Sequence, residues 1–178
     1  GPIKLGRYRE FWQCDVDIIG VRQMSAEAEL LSLTSEVFKN LKLDVVIRVN
    51  NRKILNGIIA EAGIEKAKEE TVILTLDKLE KFGQDYVVKE LIDKGISKKT
   101  ADELLTFVTT RSIAKLAKLI KNEEGKQGLK ELEELFTLLK QFNVKNAIFD
   151  TSLARGLSYY TGTVYEVFMN KGEIKSSI

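Results

Sequence analysis

Histidine is missing from all 178 residues. Its absence removes the Ser–His and Cys–His nucleophile schemes and every histidine metal site. A single cysteine excludes an internal disulfide and a multi-cysteine zinc site. No apolar run approaches the length of a bilayer span, and no signal-peptide pattern is visible. With no disulfide framework and no export signal, a cytoplasmic location is expected. Strong charge of one sign is lacking too. The formal net charge is +2, so the overall balance gives no argument for nucleic acid. There is no internal repeat and no glycine-rich phosphate loop. What is present is 44% hydrophobic and 30% charged residues with one proline, a soluble globular composition and not a disordered one. The length suits one domain, or one domain with a small insert. Any chemistry must use carboxylates, Arg, Lys, Tyr and the backbone.

The stretch GRYREFWQCDVDIIG (6–20) alternates. Read as a strand, its even face is Tyr8, Glu10, Trp12, Cys14, Val16 and Ile18, mostly apolar. Its odd face is Arg7, Arg9, Phe11, Gln13, Asp15 and Asp17, running from cations through an aromatic to carboxylates. That face reads either as a solvated sheet surface or as a track for a ligand with an anionic and a cationic end. Ser25 is expected to cap a helix from Ala26, with Glu27 and Glu29 in its first turn and Leu30, Leu33, Val37, Phe38 and Leu41 at helical spacing. LDVVIRVNN (43–51) reads as a buried strand ending in Asn. Residues 52–62 read as a helix with Ile54, Ile58 and Ile59 inward, stopped at Gly63.

From about Glu65 to Lys126 no long strand is expected. TLDKLEKFG, DYVVKELIDKG and SKKTADELLTFV read as short amphipathic helices, with stops at Gly83 and Gly95 and a cap at Ser97. Lys94 to Lys121 holds seven Lys or Arg against Asp102 and Glu103. This is either a solvated helical surface or a basic arm for a phosphate backbone. The sheet pattern then returns. GLKELEELFTLLKQF (128–142) is an amphipathic helix with Leu132, Leu135, Phe136 and Leu139 on one side. NAIFD (146–150) and TVYEVFM (163–169) read as strands, the first short and buried. Between them, SLARGLSYYTG (152–162) joins Arg155 to Gly156 and then to Tyr159, Tyr160 and Thr161. A guanidinium clamps two oxygens at once, and a neighbouring glycine lets a ligand come close. The same residues also fit a turn leading into an aromatic core strand.

Taken together, the two stretches resemble the class II aminoacyl-tRNA synthetases of the histidyl type. GRYREFWQCDVDIIG is similar to the second half of their motif 2. LARGLSYYTGTVYE is similar to their histidine-specific motif, RGLxYYTGxxxE. Ser158 stands where Asp is common and Thr151 where Pro is common. The resemblance covers nearly the whole chain. It implies an α+β fold, part of the class II antiparallel sheet with flanking helices plus a helical insertion domain. The implied division is catalytic core at 1–64, insertion at 65–126 and catalytic core with the histidine motif at 127–178.

The resemblance implies a histidine–tRNA ligase, which activates histidine with ATP to histidyl-adenylate and transfers it to tRNA(His). Arg7 and Phe11 match ATP-binding positions, on the triphosphate side and against adenine. Arg155 matches the catalytic arginine at the α-phosphate and the substrate carboxylate. Gln13, Asp17, Tyr159 and Tyr160 match histidine-binding positions, Asp17 and Tyr160 at the imidazole. ATP would come as substrate with Mg2+, with no protein-bound metal site in this chain. Implied partners are histidine, ATP, the acceptor stem of tRNA(His) through basic residues 94–121, and a second copy in a full-length homodimer. The chain starts within motif 2 and stops before motif 3, so a fragment with weak or no activity alone is expected. Alternatives are the regulatory subunit of ATP phosphoribosyltransferase and the pseudo-synthetase domain of a stress kinase. The long helical insert weighs against the first, and intact Gln13, Arg155, Tyr159 and Tyr160 weigh against the second.

Overall fold

The structure, a computed structural model, describes residues 9–156, 159–173 and 177–178. Its elements run α1 (Ser25–Asn40), β1 (Val45–Asn51), α2 (Arg52–Glu61), a 3-10 turn (Lys66–Lys68), α3 (Glu69–Leu76), α4 (Leu79–Phe82), α5 (Gln84–Asp93), α6 (Lys98–Val108), α7 (Ile113–Leu119), α8 (Glu123–Gln141), β2 (Ala147–Phe149) and β3 (Thr163–Met169). Among the described residues the strands form one sheet in the order β2-β1-β3. β3 runs antiparallel to β1: Asn170 N donates to Asp44 O at one end and Arg52 N to Gly162 O at the other. β2 runs parallel to β1, with Ile47 N on Asn146 O and Asp150 N on Val49 O. Parallel pairing needs a long crossover, and here α2 to α8 supply it. The expected α+β class is what the chain forms.

Two compact units divide the chain. The first comprises Gly1–Arg48, Leu135–Ile148 and Glu166–Ile178. Its opening segment corrects the strand expected at 6–20. Residues 11–19 form no regular element, and no backbone–backbone hydrogen bond of theirs is present among the described residues. Trp12 is 100% exposed and Phe11 70%, so neither of the two faces is buried. Alternation favours a strand only where a neighbour completes the ladder. Arg7 and Tyr8 lie outside the described residues.

Two further corrections fall in this unit. Ser25 is the first residue of α1 rather than its cap; Met24 holds that position without a side-chain bond. Ala26, Ala28 and Leu31 are the buried side of α1, whereas Leu33, Val37 and Leu41 are exposed. Small residues let the helix sit close beside the buried Leu31, and Leu33, Val37 and Leu41 are left outside. NAIFD is not a buried strand either: Ile148 is exposed and Ala147 and Phe149 only half-buried. Asn146 ties the unit together, accepting from Ser35 Oγ at 2.8 Å and donating to Val45 O at 3.3 Å.

The second unit comprises Val49–Glu134 and Phe149–Tyr165. α2 forms as expected: Asn51 caps it by accepting from Lys53 N, and Ile54, Ile58 and Ile59 are buried. It ends at Gly63, with φ +73°. α5 and α6 appear where expected, with Gly83 and Gly95 at helix ends and Ser97 accepting from Thr100 N; the helix expected over TLDKLEKFG is instead divided between the end of α3 and α4, and α7 is not among those expected. An ion cluster ties the start of α4 to α5, and Lys94 Nζ donates to Thr75 Oγ1 on α3 at 2.7 Å. Glu90 Oε1 accepts from Lys78 Nζ at 2.8 Å and from Lys94 Nζ at 2.5 Å. Hydrogen bonds from Lys78 and Lys94 lower the Glu90 carboxyl to about 2.

α2 meets the start of α8 backbone to backbone. A Cβ on Gly57 would lie 2.5 Å from Gly125 Cα and 3.1 Å from Gly125 N. Only glycine permits that approach. Asn122 locks it, donating from Nδ2 to Gly57 O at 2.9 Å and accepting from Gly125 N at 2.8 Å. Glu61 completes the lock, its Oε1 accepting from Asn122 N at 2.8 Å. The backbone N–H of Lys121, then those of Asn122, hold the Glu61 carboxyl below its ordinary range.

Gly57→Ala is expected to cost about 2 kcal/mol through overpacking. That lowers the melting midpoint by roughly 4–8 °C at this chain length, while exposed Ala60→Ser on the same helix leaves it unchanged. Calorimetry of the three proteins decides; an unchanged midpoint for Gly57→Ala refutes the contact. The depressed Glu90 carboxyl stabilises the fold above its unfolded range, near pH 4.5, and this contribution is lost as pH falls towards about 2. Urea midpoints for wild type and Glu90→Gln should therefore differ at pH 7 and converge on acidification. A difference constant with pH would count against the clamp.

Candidate functional site

β1 ends in Asn50 and Asn51, and α2 begins with Arg52; all three are buried. Burial of polar groups demands partners. Asn50 Nδ2 donates to Thr151 O at 3.0 Å and to Leu153 O at 2.9 Å. Arg52 Nη1 donates to Arg155 O at 3.2 Å, and Arg52 N to Gly162 O at 2.7 Å. Thr151, Leu153, Arg155 and Gly162 are thus each pinned by a carbonyl to the end of β1 and the start of α2. Burial lowers the Arg52 pKa, opposed by Glu69, Glu70 and Glu124; a guanidinium stays charged throughout.

The other side of this segment faces α3. A Cβ on Gly156 would lie 2.9 Å from Leu74 Cδ2 and 3.8 Å from Asp77 Oδ2. Asp77 keeps an exposed edge, yet the protein packed about its carboxyl raises its pKa and Arg155 draws it back. Tyr159 and Tyr160 follow, their ring centroids 4.8 Å apart at 41°. Tyr159 is exposed and Tyr160 half-buried. Hydrogen bonding with Tyr160 raises the Tyr159 phenol. Tyr160 and Thr161 line an open pocket of about 400 Å³ with Arg52, Asn56, Glu69 and Glu124. Burial, then Glu124, raises the Glu69 carboxyl.

Arg155, Gly156, Tyr159 and Tyr160 therefore share one well-anchored segment of the second unit. Phe11, Gln13 and Asp17 lie in the irregular opening segment of the first unit, all exposed. Gln13 Nε2 donates locally to Asp15 Oδ1 at 2.7 Å. Their expected common strand face is not formed in this chain. Of the basic residues at 94–121, Lys94 and Arg111 face Glu90 and Asp150, whereas Lys98, Lys115, Lys118 and Lys121 have no acidic partner within 4.0 Å among the described residues. Thr151 Oγ1 donates to Thr110 O at 2.6 Å, tying the turn between α6 and α7 to the site segment. Sequence reasoning missed Asn50, Arg52 and Asp77. The signal for the first two was present: two amides and an arginine in a row where a buried strand stops.

The family model for histidyl-tRNA synthetase matches residues 2–175. The chain belongs to the histidyl-tRNA synthetase family. It is 47% identical over 182 residues to histidine–tRNA ligase 1 of Bacillus cereus (strain ATCC 10987 / NRS 248), covering 100% of this chain and 42% of that protein. Histidine–tRNA ligase of Clostridium tetani is 43% identical over 176 residues, covering 93% of this chain and 40% of that protein. The chain thus spans less than half the length of these curated relatives. Among solved structures, histidyl-tRNA synthetase from Nostoc sp. PCC 7120 matches with a TM-score of 0.77 and 31% identity, over 83% of this chain and 37% of that one. A protein from Bacillus halodurans C described as an ATP phosphoribosyltransferase regulatory subunit/histidyl-tRNA synthetase matches with a TM-score of 0.72 at 20% identity, over 88% of this chain and 42% of that one. At that identity the likeness speaks for the fold alone.

In this histidyl-tRNA synthetase family member, Asn50→Leu keeps the side-chain size but strands the carbonyls of Thr151 and Leu153. Each unmade buried bond costs about 1–3 kcal/mol. Urea unfolding of the variant is expected to show a loss of about 2–4 kcal/mol; stability within 0.5 kcal/mol of wild type, the usual span for an inconsequential substitution, would refute the clamp.

Proposed function

We propose that this chain carries part of the amino-acid activation site of a histidine–tRNA ligase. The observation that supports it most is the pinned Arg155–Gly156 pair, followed by two adjacent tyrosines, in a chain 47% identical to such a ligase. Histidine carboxylate attacks the α-phosphorus of ATP, giving histidyl-adenylate and pyrophosphate. Two anions must approach, so fixed cations and alignment matter more than a proton shuttle. Arg155 neutralises carboxylate and phosphate together as charge moves between them. Arg7 serves the triphosphate and Phe11 stacks on adenine. Gln13 meets the amino and carboxyl end of histidine. Asp17 and Tyr160 pair with the imidazole nitrogens, Tyr159 standing beside them. A substrate lacking those nitrogens leaves these groups unpaired, which gives the discrimination.

In the full-length, class II homodimer the opening segment gains strand neighbours and Phe11, Gln13 and Asp17 take up their common face. Residues 65–126 act as the insertion domain between core segments 1–64 and 127–178. Lys98, Lys115, Lys118 and Lys121 contact phosphates of the tRNA(His) acceptor stem rather than reading bases. Mg2+ would accompany ATP as part of the substrate; among the described residues no group of three or more acidic or cysteine side chains could hold a metal ion. No helix among the described residues is long and apolar enough to cross a membrane, and the work is assigned to the cytoplasm. A regulatory-subunit role has support only from low-identity fold likeness.

Histidine-dependent ATP–pyrophosphate exchange tests the proposal in the full-length parent. Arg155→Ala is expected to lower kcat by about 10²–10³, with little change in histidine affinity, because its contact strengthens in the transition state. Equal kcat for the two proteins would overturn the role of Arg155. No exchange by the parent would favour the regulatory subunit.

A further inference from the structure

Asp150 stands directly before the Thr151–Gly162 segment, and its side chain is only 1% exposed. A buried carboxylate needs hydrogen bonds and a counter-charge. Oδ1 takes the hydrogen bonds, accepting from Ser152 N at 3.1 Å and from Ser152 Oγ at 2.5 Å. Oδ2 meets the counter-charge, 3.4 Å from Arg111 Nη2. Next to that pair, Thr151 Oγ1 donates to Thr110 O at 2.6 Å. Two consecutive residues of the turn between α6 and α7 thus grip two consecutive residues at the start of the stretch that carries Arg155. Of these two ties, only the ion pair carries a charge that an outside ligand can feel. Arg111 is 63% exposed, unlike the acid it serves. It directly precedes Ser112, the cap of α7, and α7 carries the exposed Lys115 and Lys118. A guanidinium presents five N–H donors in a flat fork, enough for two anions at once. An anion drawn to the lysines of α7 therefore meets the exposed side of the same group that neutralises Asp150.

We infer that Arg111 couples RNA on the basic face of α7 to the activation site, taking a phosphate on its exposed side and holding buried Asp150 on the other. The inference rests on the proposed roles of Arg155 and of the α7 lysines, and adds a thermodynamic link between them. A phosphate on the outer side fixes the guanidinium on which Asp150 depends, and so firms the start of the Arg155 segment. Coupling of this kind is reciprocal: an adenylate bound at Arg155 strengthens RNA binding by the factor that RNA strengthens adenylate binding.

Binding titrations on the full-length parent test it, with a non-hydrolysable histidyl-adenylate analogue and a tRNA(His) transcript as the two ligands. Wild type is expected to bind the analogue about fivefold tighter with tRNA present, and tRNA about fivefold tighter with the analogue present, at the lower end of typical couplings. Arg111→Gln should bring both factors close to one and reduce the salt slope of tRNA binding by about one. Arg111→Lys keeps a counter-charge for Asp150 but loses the fork; it should also lose most of the coupling, with a melting temperature close to wild type. Factors of one in wild type overturn the inference, as do factors that survive in both variants or a salt slope that Arg111→Gln leaves unchanged. No binding of the analogue by wild type would overturn the proposed activation site, and no binding of tRNA the proposed acceptor-stem contact; either removes the coupling with it.

Discussion

Three consecutive polar residues at the end of a buried strand set the terms for the second unit. Asn50, Asn51 and Arg52 are out of water, and each must find hydrogen bonds inside the protein. Asn50 and Arg52 find them on backbone carbonyls of the Thr151–Gly162 segment. Asn51 caps α2 and donates to Glu131 Oε2 at 2.8 Å on α8. Burial pushes the Glu131 carboxyl up, but hydrogen bonds from Lys53, Gln127 and Asn51 outweigh it and hold the group ionised. One stretch thereby fixes the start of a helix, the placement of α8 and the course of the site segment. Apolar residues there would have packed but could not have directed a loop.

The same helix, α2, then depends on close packing. At Gly57 and Gly125 the backbones of α2 and α8 touch, and Gly128 lies as near to Ile54 and Lys53, where a Cβ would meet their atoms at 2.9 Å. Glycine in a helix costs about 1 kcal/mol each relative to alanine. Three in this contact make sense only where approach distance is worth more than propensity. The gain is rigidity at Arg52: a helix held at Gly57 and Glu61 cannot swing, so the guanidinium that pins Arg155 stays in place. The unpartnered buried Glu69 Oε1 and Asn56 Oδ1 belong to residues that line the adjoining pocket.

Regular elements whose burial comes from their own pattern were legible in the sequence. β1, α2, α5, α6, α8 and β3 follow from periodicity, caps and glycine stops. The misses share one cause, which is that burial belongs to partners and not to patterns. On α1 Leu33, Val37 and Leu41 follow helical spacing yet stay exposed, because Ala26, Ala28 and Leu31 make the close contact. At 146–150 the apolar letters promised burial, but the strand is short and Ile148 points outward. Of the site, Arg155, Tyr159 and Tyr160 were legible through their motif. Asn50 and Arg52 act through backbone carbonyls a hundred residues on, which no local pattern records.

The opening segment carries this reasoning furthest. Its alternation is as regular as that of β1, yet β1 is a strand and residues 11–19 are not. β1 has neighbours on both sides, and its backbone groups are paired along its length. Residues 11–19 have no such pairing among the described residues, and Trp12 and Ile19 stand almost wholly in water. A two-faced strand is stable when a ladder satisfies its edges and a core takes its apolar face. Without them, side chains that alternation would line up are free to turn apart, as the local Gln13–Asp15 bond illustrates. The two parts of the proposed site therefore differ in kind. Arg155 and the tyrosines are held by contacts within one compact unit, while the face assigned to Phe11, Gln13 and Asp17 exists only where a neighbouring strand creates it.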